Sequence, residues 1–372
     1  MNNNTPLSPC PLGSATGGVR RRVLSLAELR EYGVPAAAVT ARCRQGGPWQ
    51  RLLPGVFLLH QGPPTSEERL HGVLLYAARP GAGSGDGGWD GGLLPEQAVS
   101  SVSVSGSGPA LAPYGAAMIT GPAALTLHGF SSVPALPSLP TIDVLVPRTR
   151  RLRSTGCARV IRAQALPRAE QITGLPVAPV ARALADTVAG LRDTDAVRDL
   201  LIEAVRDGHC EPAAVVHELI QAKLLEAPHV VGAVDSLLME GRSLAEGWLY
   251  AMVRTYGLPE PVWNVDLRLP GGPHLGGVDA YWPEQAVAIE LDTRSPAASG
   301  DRKDGGTADA EGPLWSAYVR KREHLERLGI TVVHLTPRKL RESPEQQALV
   351  VRTALKAAED REPAAYVLVL PV

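Results

Sequence analysis

The stretch 276–292, GGVDAYWPEQAVAIELD, decides the fold predicted for the second half of the chain. Its apolar residues alternate or run together on both sides of Pro283, which is the pattern of two strands joined by a tight turn. An antiparallel pair of this kind brings Asp279 close to Glu290, and Asp292 points to the same side as Glu290 because strand side chains repeat every second residue. Three carboxylates that converge repel one another, so the pattern predicts a cation between them.

The predicted cation is Mg²⁺, because hard divalent ions take carboxylate oxygens as ligands. Asp279, Glu290 and Asp292 are its predicted ligands and are also candidate catalytic residues, since such a site suits phosphodiester cleavage. The alternative is structural: acidic residues are common at strand ends, and a short motif of this kind also occurs by chance.

The elements predicted around this stretch follow the order α-β-β-β-α-β. Ser243-Leu-Ala-Glu246 has the pattern of a capping box, which predicts that a helix begins there and ends at Gly257. Residues 262–267 form the first predicted strand, ahead of the two strands of the hairpin. A helix over 314–328 and an apolar strand over 330–335 complete the order.

This order resembles the core of the PD-(D/E)XK nuclease superfamily, and more closely a branch of small bacterial proteins similar to very-short-patch-repair endonucleases. In that branch the second helix carries a basic run ahead of a leucine and a glycine, as Arg320-Lys321-Arg322 and Leu328-Gly329 do here. The resemblance implies an active site in which Glu246 orients the acids and Lys321 stabilises the phosphate.

Two features depart from the pattern of these relatives. Asp292 replaces the lysine that the superfamily places two positions after the second acid, and no histidine lies between Asp292 and His324, where the repair-like branch has one nearby. Lys321 is a candidate substitute for the lysine, although a basic helix face is usually only solvated. The departures favour a domain that has the nuclease fold and cuts DNA poorly or not at all.

The composition excludes several other classes of protein. A formal net charge of −1 over 372 residues means that any nucleic-acid surface must arise from local clusters of basic residues. Aromatic residues make up 4% of the chain, which argues against a protein that stacks single-stranded bases. No apolar run approaches the length of a membrane span, so no membrane partner is expected.

The cysteines and the first residues bear on the compartment. The four cysteines lie far apart and have neither metal-ligand spacing nor the pattern of a disulfide framework, which predicts a reducing, cytoplasmic environment. Residues 1–19 are polar and rich in proline and glycine, without the apolar core of a signal peptide, and are predicted to be a disordered tail.

A second pattern, near the start of the chain, predicts a winged helix. Ser25-Leu-Ala-Glu28 is a capping box for a short helix, and Pro35 suits the first turn of the next helix, which ends at 45–47. Two short helices with a glycine between them are typical of a helix-turn-helix. Two strands around Pro54-Gly55 then form the predicted wing, and Thr65 caps a further helix.

A winged helix would insert its second helix in the major groove of double-stranded DNA. The candidate DNA contacts are therefore polar residues of that helix, of the turn after it and of the wing: Thr40, Arg42, Arg44 and Arg51. The alternative is a helical hairpin that packs on its own domain and carries ordinary exposed arginines.

The segment 44–59, RQGGPWQRLLPGVFLL, resembles the N-terminal domain of bacterial abortive-infection antitoxins of the AbiE type. In that family a glycine, a Trp-x-Arg and a Pro-Gly-Val followed by an aromatic residue recur, and Gly47, Trp49, Arg51 and 54–57 fill those places. The resemblance implies a DNA-binding winged helix and a nucleotidyltransferase-like toxin as a partner.

The segment 147–169 holds seven arginines and no acid. In a chain of net charge −1 this asymmetry predicts contact with phosphates, and the alternative is a solvated loop. The candidate DNA contacts in this segment are Arg148, Arg150, Arg151 and Arg153. Further along, Pro179, Arg182 and Asp186 resemble a Pro-x-x-Arg-x-x-x-Asp run of the antitoxins, although Arg182 and Asp186 are also spaced to pair on a helix surface.

The predicted fold class is a multidomain α/β protein with a winged helix, a small central α/β domain and a restriction-endonuclease-like domain of the PD-(D/E)XK type. The predicted parts are a tail (1–19), a winged helix (20–80), a low-complexity linker (81–113), an α/β domain with an arginine-rich edge (114–200), a helical connector (201–242) and the nuclease-like domain (243–372) with a disordered insert (294–312).

Three functions fit this organisation. The preferred one is a DNA-binding regulator or phage-defence protein, antitoxin-like, whose nuclease-like domain has lost most or all of its activity. The first alternative is an active Mg²⁺-dependent endonuclease, and the second is an antitoxin that acts by protein contact.

Overall fold

The computed structural model describes residues 22–79, 114–292, 321–358 and 366–371. The predicted tail, the linker and the insert 294–312 lie outside these residues. The protein is a mixed α/β chain that divides into two compact units, Met1–Leu191 and Arg192–Val372. Within the described part of the chain, no helix combines the length and apolar character needed to cross a bilayer.

The first unit begins with a small antiparallel sheet and three helices. The strands, in the spatial order β1-β3-β2, are β1 (Val23–Ser25), β2 (Gln50–Leu53) and β3 (Val56–Leu58). The helices are α1 (Leu26–Glu31), α2 (Ala36–Arg42) and α3 (Ser66–Ala78). Both caps predicted in this part of the chain are confirmed as capping boxes, since the side chains of Ser25 and Thr65 accept from the backbone N–H three residues on and the glutamates there reciprocate.

A five-stranded mixed sheet forms the rest of the first unit. Its strands, in the order β6-β5-β4-β8-β7, are β4 (Met118–Thr120), β5 (Ile142–Pro147), β6 (Ala158–Ala163), β7 (Glu170–Ile172) and β8 (Leu175–Val177). Helices α4 (Gly121–Leu127) and α5 (Val180–Val188) pack against each other. Strand β5 is almost wholly buried, which explains its apolar sequence.

The second unit begins with helices α6 (Thr194–Arg206), α7 (Pro212–Gln221) and α8 (Pro228–Thr255). The predicted helix start at Ser243 is wrong, because Ser243 lies inside α8, a single helix of 28 residues. The capping-box pattern misled because a Ser-x-x-Glu sequence is equally compatible with a helix interior. No proline interrupts α8 after its first residue, and its glycines do not break it.

Two glycines of α8 make a matched pair for a stability test. A Cβ at Gly241 would lie 2.4 Å from Cγ of Pro212, whereas a Cβ at Gly247 would meet nothing within 4 Å. We expect Gly247→Ala to raise the free energy of unfolding by about 0.5–1 kcal/mol through helix propensity. We expect Gly241→Ala to lower it by about 1–3 kcal/mol through overpacking. Urea titration measures both, and equal effects of the two substitutions would contradict the close packing of α7 on α8.

The second unit continues with a five-stranded sheet. The strands, in the order β12-β11-β10-β9-β13, are β9 (Val262–Arg268), β10 (His274–Trp282), β11 (Val287–Leu291), β12 (Thr331–Leu335) and β13 (Leu368–Pro371). Residues 321–327 are helical and are called α9, followed by α10 (Pro337–Glu342) and α11 (Pro344–Ala358). The chain thus follows the predicted order α-β-β-β-α-β, and β13, α10 and α11 extend it.

The predicted hairpin is present as β10 and β11. The strands are antiparallel, with Ala280 opposite Ile289 and Trp282 opposite Val287. One face of the sheet packs on α8, α10 and α11, and the other packs on Leu325 of α9. Strand β12 runs parallel to β11 and pairs His334 with Glu290. Asp279, Glu290 and His334, on the adjacent strands β10, β11 and β12, therefore lie in one region of the sheet.

Candidate functional site

The site begins where strands β10 and β11 separate. Their pairing ends at Ala280 and Ile289, and the Asp279 carboxylate then replaces a backbone acceptor, because the Leu291 N–H donates to its Oδ2 at 2.7 Å. Asp279 is 9% exposed and Glu290 is 6% exposed, so both acids are buried at this point. The hairpin thus brings both acids to the place where the two strands diverge.

The electrostatics of Asp279 identify its acidic neighbours. Burial raises the pKa of this carboxyl, and the charges of Glu246 and Glu290 raise it further, although the Leu291 N–H and the Arg242 guanidinium oppose the shift. Glu246 reaches the site from α8. Asp279, Glu290 and Glu246 therefore share one electrostatic environment.

Lys321, the first described residue of α9, contacts Glu290. Its ammonium forms an ion pair with the Glu290 carboxylate and donates to the carbonyl oxygen of Gly277 at 2.6 Å. Gly277 lies on β10, two residues before Asp279, so Lys321 spans both acid-bearing strands. Helix α9 thus places an ammonium beside Glu290. Position 292 itself holds an aspartate and supplies no ammonium.

His334 is a neighbour of the site that no sequence pattern indicated. Its Nδ1 lies 3.6 Å from Oε2 of Glu290. Burial lowers the pKa of His334, against the opposing charge of Glu290. The sequence could not reveal this neighbour, because the contact depends on the parallel register of β11 and β12 across the segment that separates them.

Arg242 is the second residue that the sequence did not indicate. Its Nε donates to Oε1 of Glu246 at 2.9 Å, and its Nη2 donates to Oδ1 of Asp279 at 3.0 Å. It lies one helical turn before Glu246 on α8, on the N-terminal side of the helix start that was wrongly predicted at Ser243. One guanidinium therefore joins two of the candidate acids.

Asp292 lies beside this group. Its backbone N–H donates to the Leu335 carbonyl at 2.8 Å, which continues the pairing with β12. Its charge acts on the pKa values of His334 and Glu211, and the charge of Glu290 also acts on that of His334. Asp292 is thus adjacent to the site, on the side of β12.

Side-chain cations neutralise the acids of the site in this structure. Arg242 pairs with Asp279 and Glu246, and Lys321 pairs with Glu290. Within the four described stretches, no set of three or more His, Cys, Asp or Glu side chains is placed to hold a metal ion. The oxygen donors fit Mg²⁺ in type, and Arg242 and Lys321 make the contacts for which such an ion would compete.

The candidate DNA contacts of the first unit differ in exposure. Thr40, Arg44 and Arg51 are exposed, and Thr40 donates to the Ala36 carbonyl one turn back. Arg42 is half-buried and stacks on Trp49, with 4.7 Å between the guanidinium carbon and the ring centroid. Arg42 therefore supports the packing of its own domain.

The arginine-rich segment also divides into two groups. Arg148, Arg151 and Arg153 are exposed. Arg150 is half-buried and donates to the carbonyls of Ala77, at 2.7 Å, and of Arg79, so it ties the segment to the end of α3. The three exposed arginines therefore stay candidates for phosphate contact, whereas Arg150 has a structural role.

A second group of buried charges lies in the first unit. Thr120 donates to Oδ2 of Asp186 at 2.6 Å, and Arg182 donates to both oxygens of that carboxylate, with the shorter contact at 2.8 Å. Arg182 and Asp186 thus form the ion pair that their spacing allows, with the aspartate buried and the arginine partly buried. Arg159 forms a two-point contact with the buried carboxylate of Asp143.

Comparison with known proteins adds no identification. None of the known protein families matches the chain, and no curated protein matches its sequence.

Proposed function

We propose that this chain is a DNA-binding protein whose second unit holds a Mg²⁺-dependent site for phosphodiester cleavage. The observation that carries the proposal is the pair of buried acids Asp279 and Glu290 with Lys321 in contact with Glu290. Two acids and an ammonium within one small region supply ligands for a divalent ion and a positive group for a phosphate.

Each residue then has a distinct task. Asp279 and Glu290 hold the cation, which when bound would act as a Lewis acid on the phosphate and lower the pKa of a bound water. Lys321 is close enough to Glu290 to stabilise negative charge on a phosphate beside the acids. Before the ion binds, Glu246 positions Asp279 through Arg242, because the arginine donates to both carboxylates.

Nicking of supercoiled plasmid tests this proposal. Purified full-length protein with Mg²⁺ is expected to nick the plasmid, and EDTA is expected to abolish nicking. Lys321→Met keeps most of the stem of the side chain and is expected to reduce the rate by about 10²–10³-fold, since it removes charge stabilisation of the phosphate. Wild-type protein that binds DNA and never nicks it would overturn the catalytic part of the proposal.

The arginines of the first unit carry the DNA-binding part of the proposal. We expect the affinity for duplex DNA to fall steeply as salt concentration rises, because phosphate contacts release counterions. Substituting Arg148, Arg151 and Arg153 together by alanine should lower the salt slope by about one for each lost contact. Arg198→Ala, which removes an arginine 2.8 Å from Asp195, is the control and should leave the slope unchanged.

A second candidate function is DNA binding without cleavage, as a regulator or phage-defence protein. The contacts of Arg242 and Lys321 favour it, because they already neutralise the acids that would otherwise demand a metal ion. The plasmid assay separates the two functions. An antitoxin-like role, with a nucleotidyltransferase-like toxin as partner, remains a proposal that co-purification from a host expressing both proteins would test.

A further inference from the structure

One residue of the site, Arg242, makes contacts that a metal ion would also make. Its guanidinium joins Oε1 of Glu246 at 2.9 Å to Oδ1 of Asp279 at 3.0 Å. A divalent ion that bound Asp279 through the same oxygen would compete with the guanidinium for it. The other Asp279 oxygen is already committed to the Leu291 N–H at 2.7 Å. Arg242 therefore holds the Asp279 oxygen that does not accept from the Leu291 N–H.

The surroundings of Arg242 allow it to move. Its side chain is 63% exposed, whereas its partners Glu246 and Asp279 are 23% and 11% exposed. The long stem of an exposed arginine is held mainly by the contacts of its head. The acids are thus fixed in the protein, and the cation that joins them is the part that can leave.

We infer that Arg242 has two positions, one as the counter-ion of Asp279 and Glu246 and one on a DNA phosphate after a divalent ion has displaced it. This inference rests on the proposed metal site. The guanidinium, once displaced, keeps its charge and its planar set of donors, which suit two-point contact with a phosphate. Arg242 is therefore a positioning residue without the ion and a substrate-binding residue with it.

Calorimetric titration with Mg²⁺ in the absence of DNA tests the first position. Arg242→Met removes the competing charge and keeps the stem, so we expect the Kd for Mg²⁺ to fall about tenfold, which is the scale of a hydrogen bond to a charged group. Arg206→Met is the matched control, because Arg206 is 60% exposed and pairs with Glu240, which is 27% exposed, at 3.2 Å. The control should leave the Kd unchanged.

Binding of duplex DNA at saturating Ca²⁺, which takes the same kind of oxygen ligands, tests the second position. Both Met variants lose one positive charge, so a general charge effect should weaken them equally. We expect Arg242→Met to lose several-fold more affinity than Arg206→Met, because only Arg242 would touch the phosphate near the ion. A loss no larger than that of the control would overturn the inference.

A conservative variant keeps the test valid if Arg242→Met does not fold. Arg242→Lys retains the charge, and a single ammonium bridges two carboxylates less well than a planar guanidinium. Its Kd for Mg²⁺ should lie between those of wild type and Arg242→Met, and a value equal to that of wild type would count against the inference. If wild-type protein binds no Mg²⁺ at all, the proposed metal site itself fails; if it binds Mg²⁺ and the variants do so equally, only the role of Arg242 fails.

Discussion

Asp279→Asn is expected to reduce Mg²⁺-dependent nicking by at least about 100-fold. Even residues that only hydrogen-bond to metal ligands contribute about 10–100-fold to metal affinity or activity, and Asp279 is a proposed ligand itself. The asparagine side chain removes the charge that would bind the ion. It keeps an oxygen that can accept from the Leu291 N–H, which donates to the aspartate at 2.7 Å in the wild type. The nicking rate of wild type and variant on one plasmid preparation measures the effect.

The fold should tolerate this substitution. Burial, followed by the charges of Glu246 and Glu290, raises the pKa of Asp279, so a neutral side chain is compatible with its surroundings. Asp266→Asn is the control, because Asp266 lies on the neighbouring strand β9 and pairs with His274 at 3.1 Å. Undiminished nicking by Asp279→Asn, with the control also active, would remove the proposed site.

Asp186→Ala is expected to lower the free energy of unfolding of the first unit by about 3–5 kcal/mol, the usual cost of breaking a buried ion pair. The substitution leaves the Thr120 hydroxyl without its acceptor in a position with 0% exposure. It also leaves Arg182, whose side chain is 15% exposed, without the carboxylate that accepts from it at two points.

Chemical denaturation measures this effect, with Glu170→Ala as the control. Glu170 lies in the same unit, on β7, and its side chain is 53% exposed, so its loss should change the free energy of unfolding by less than about 0.5 kcal/mol. A loss below about 1 kcal/mol for Asp186→Ala would contradict the account, since it would mean that the buried group contributes little.

Local patterns predicted the parts of the fold that local interactions determine. The hairpin of β10 and β11, the capping boxes at Ser25 and Thr65 and the pairing of Arg182 with Asp186 all depend on residues close in sequence. Asp279, Glu290 and Lys321 were selected because a hairpin and a basic helix run have recognisable patterns. The ion pair of Lys321 with Glu290 was not predicted, since it depends on rotamers and on the approach of α9.

The missed features depend on contacts between distant segments or on the length of a helix. His334 is adjacent to Glu290 only through the register of β11 with β12, and β13 joins the sheet from near the end of the chain. Arg242 was missed because the capping-box pattern at Ser243 placed a helix boundary one residue after it. The cation that the acids were predicted to need is supplied in this structure by Arg242 and Lys321.

We propose above all that a divalent ion binds between Asp279 and Glu290, where β10 and β11 separate. Crystals of the protein soaked in Mn²⁺ test it most directly, because Mn²⁺ accepts the same oxygen ligands and scatters anomalously. The account predicts an anomalous peak in contact with both carboxylates and a displaced Arg242 guanidinium. Crystals at saturating Mn²⁺ in which the peak is absent and Arg242 still joins Asp279 to Glu246 would contradict it.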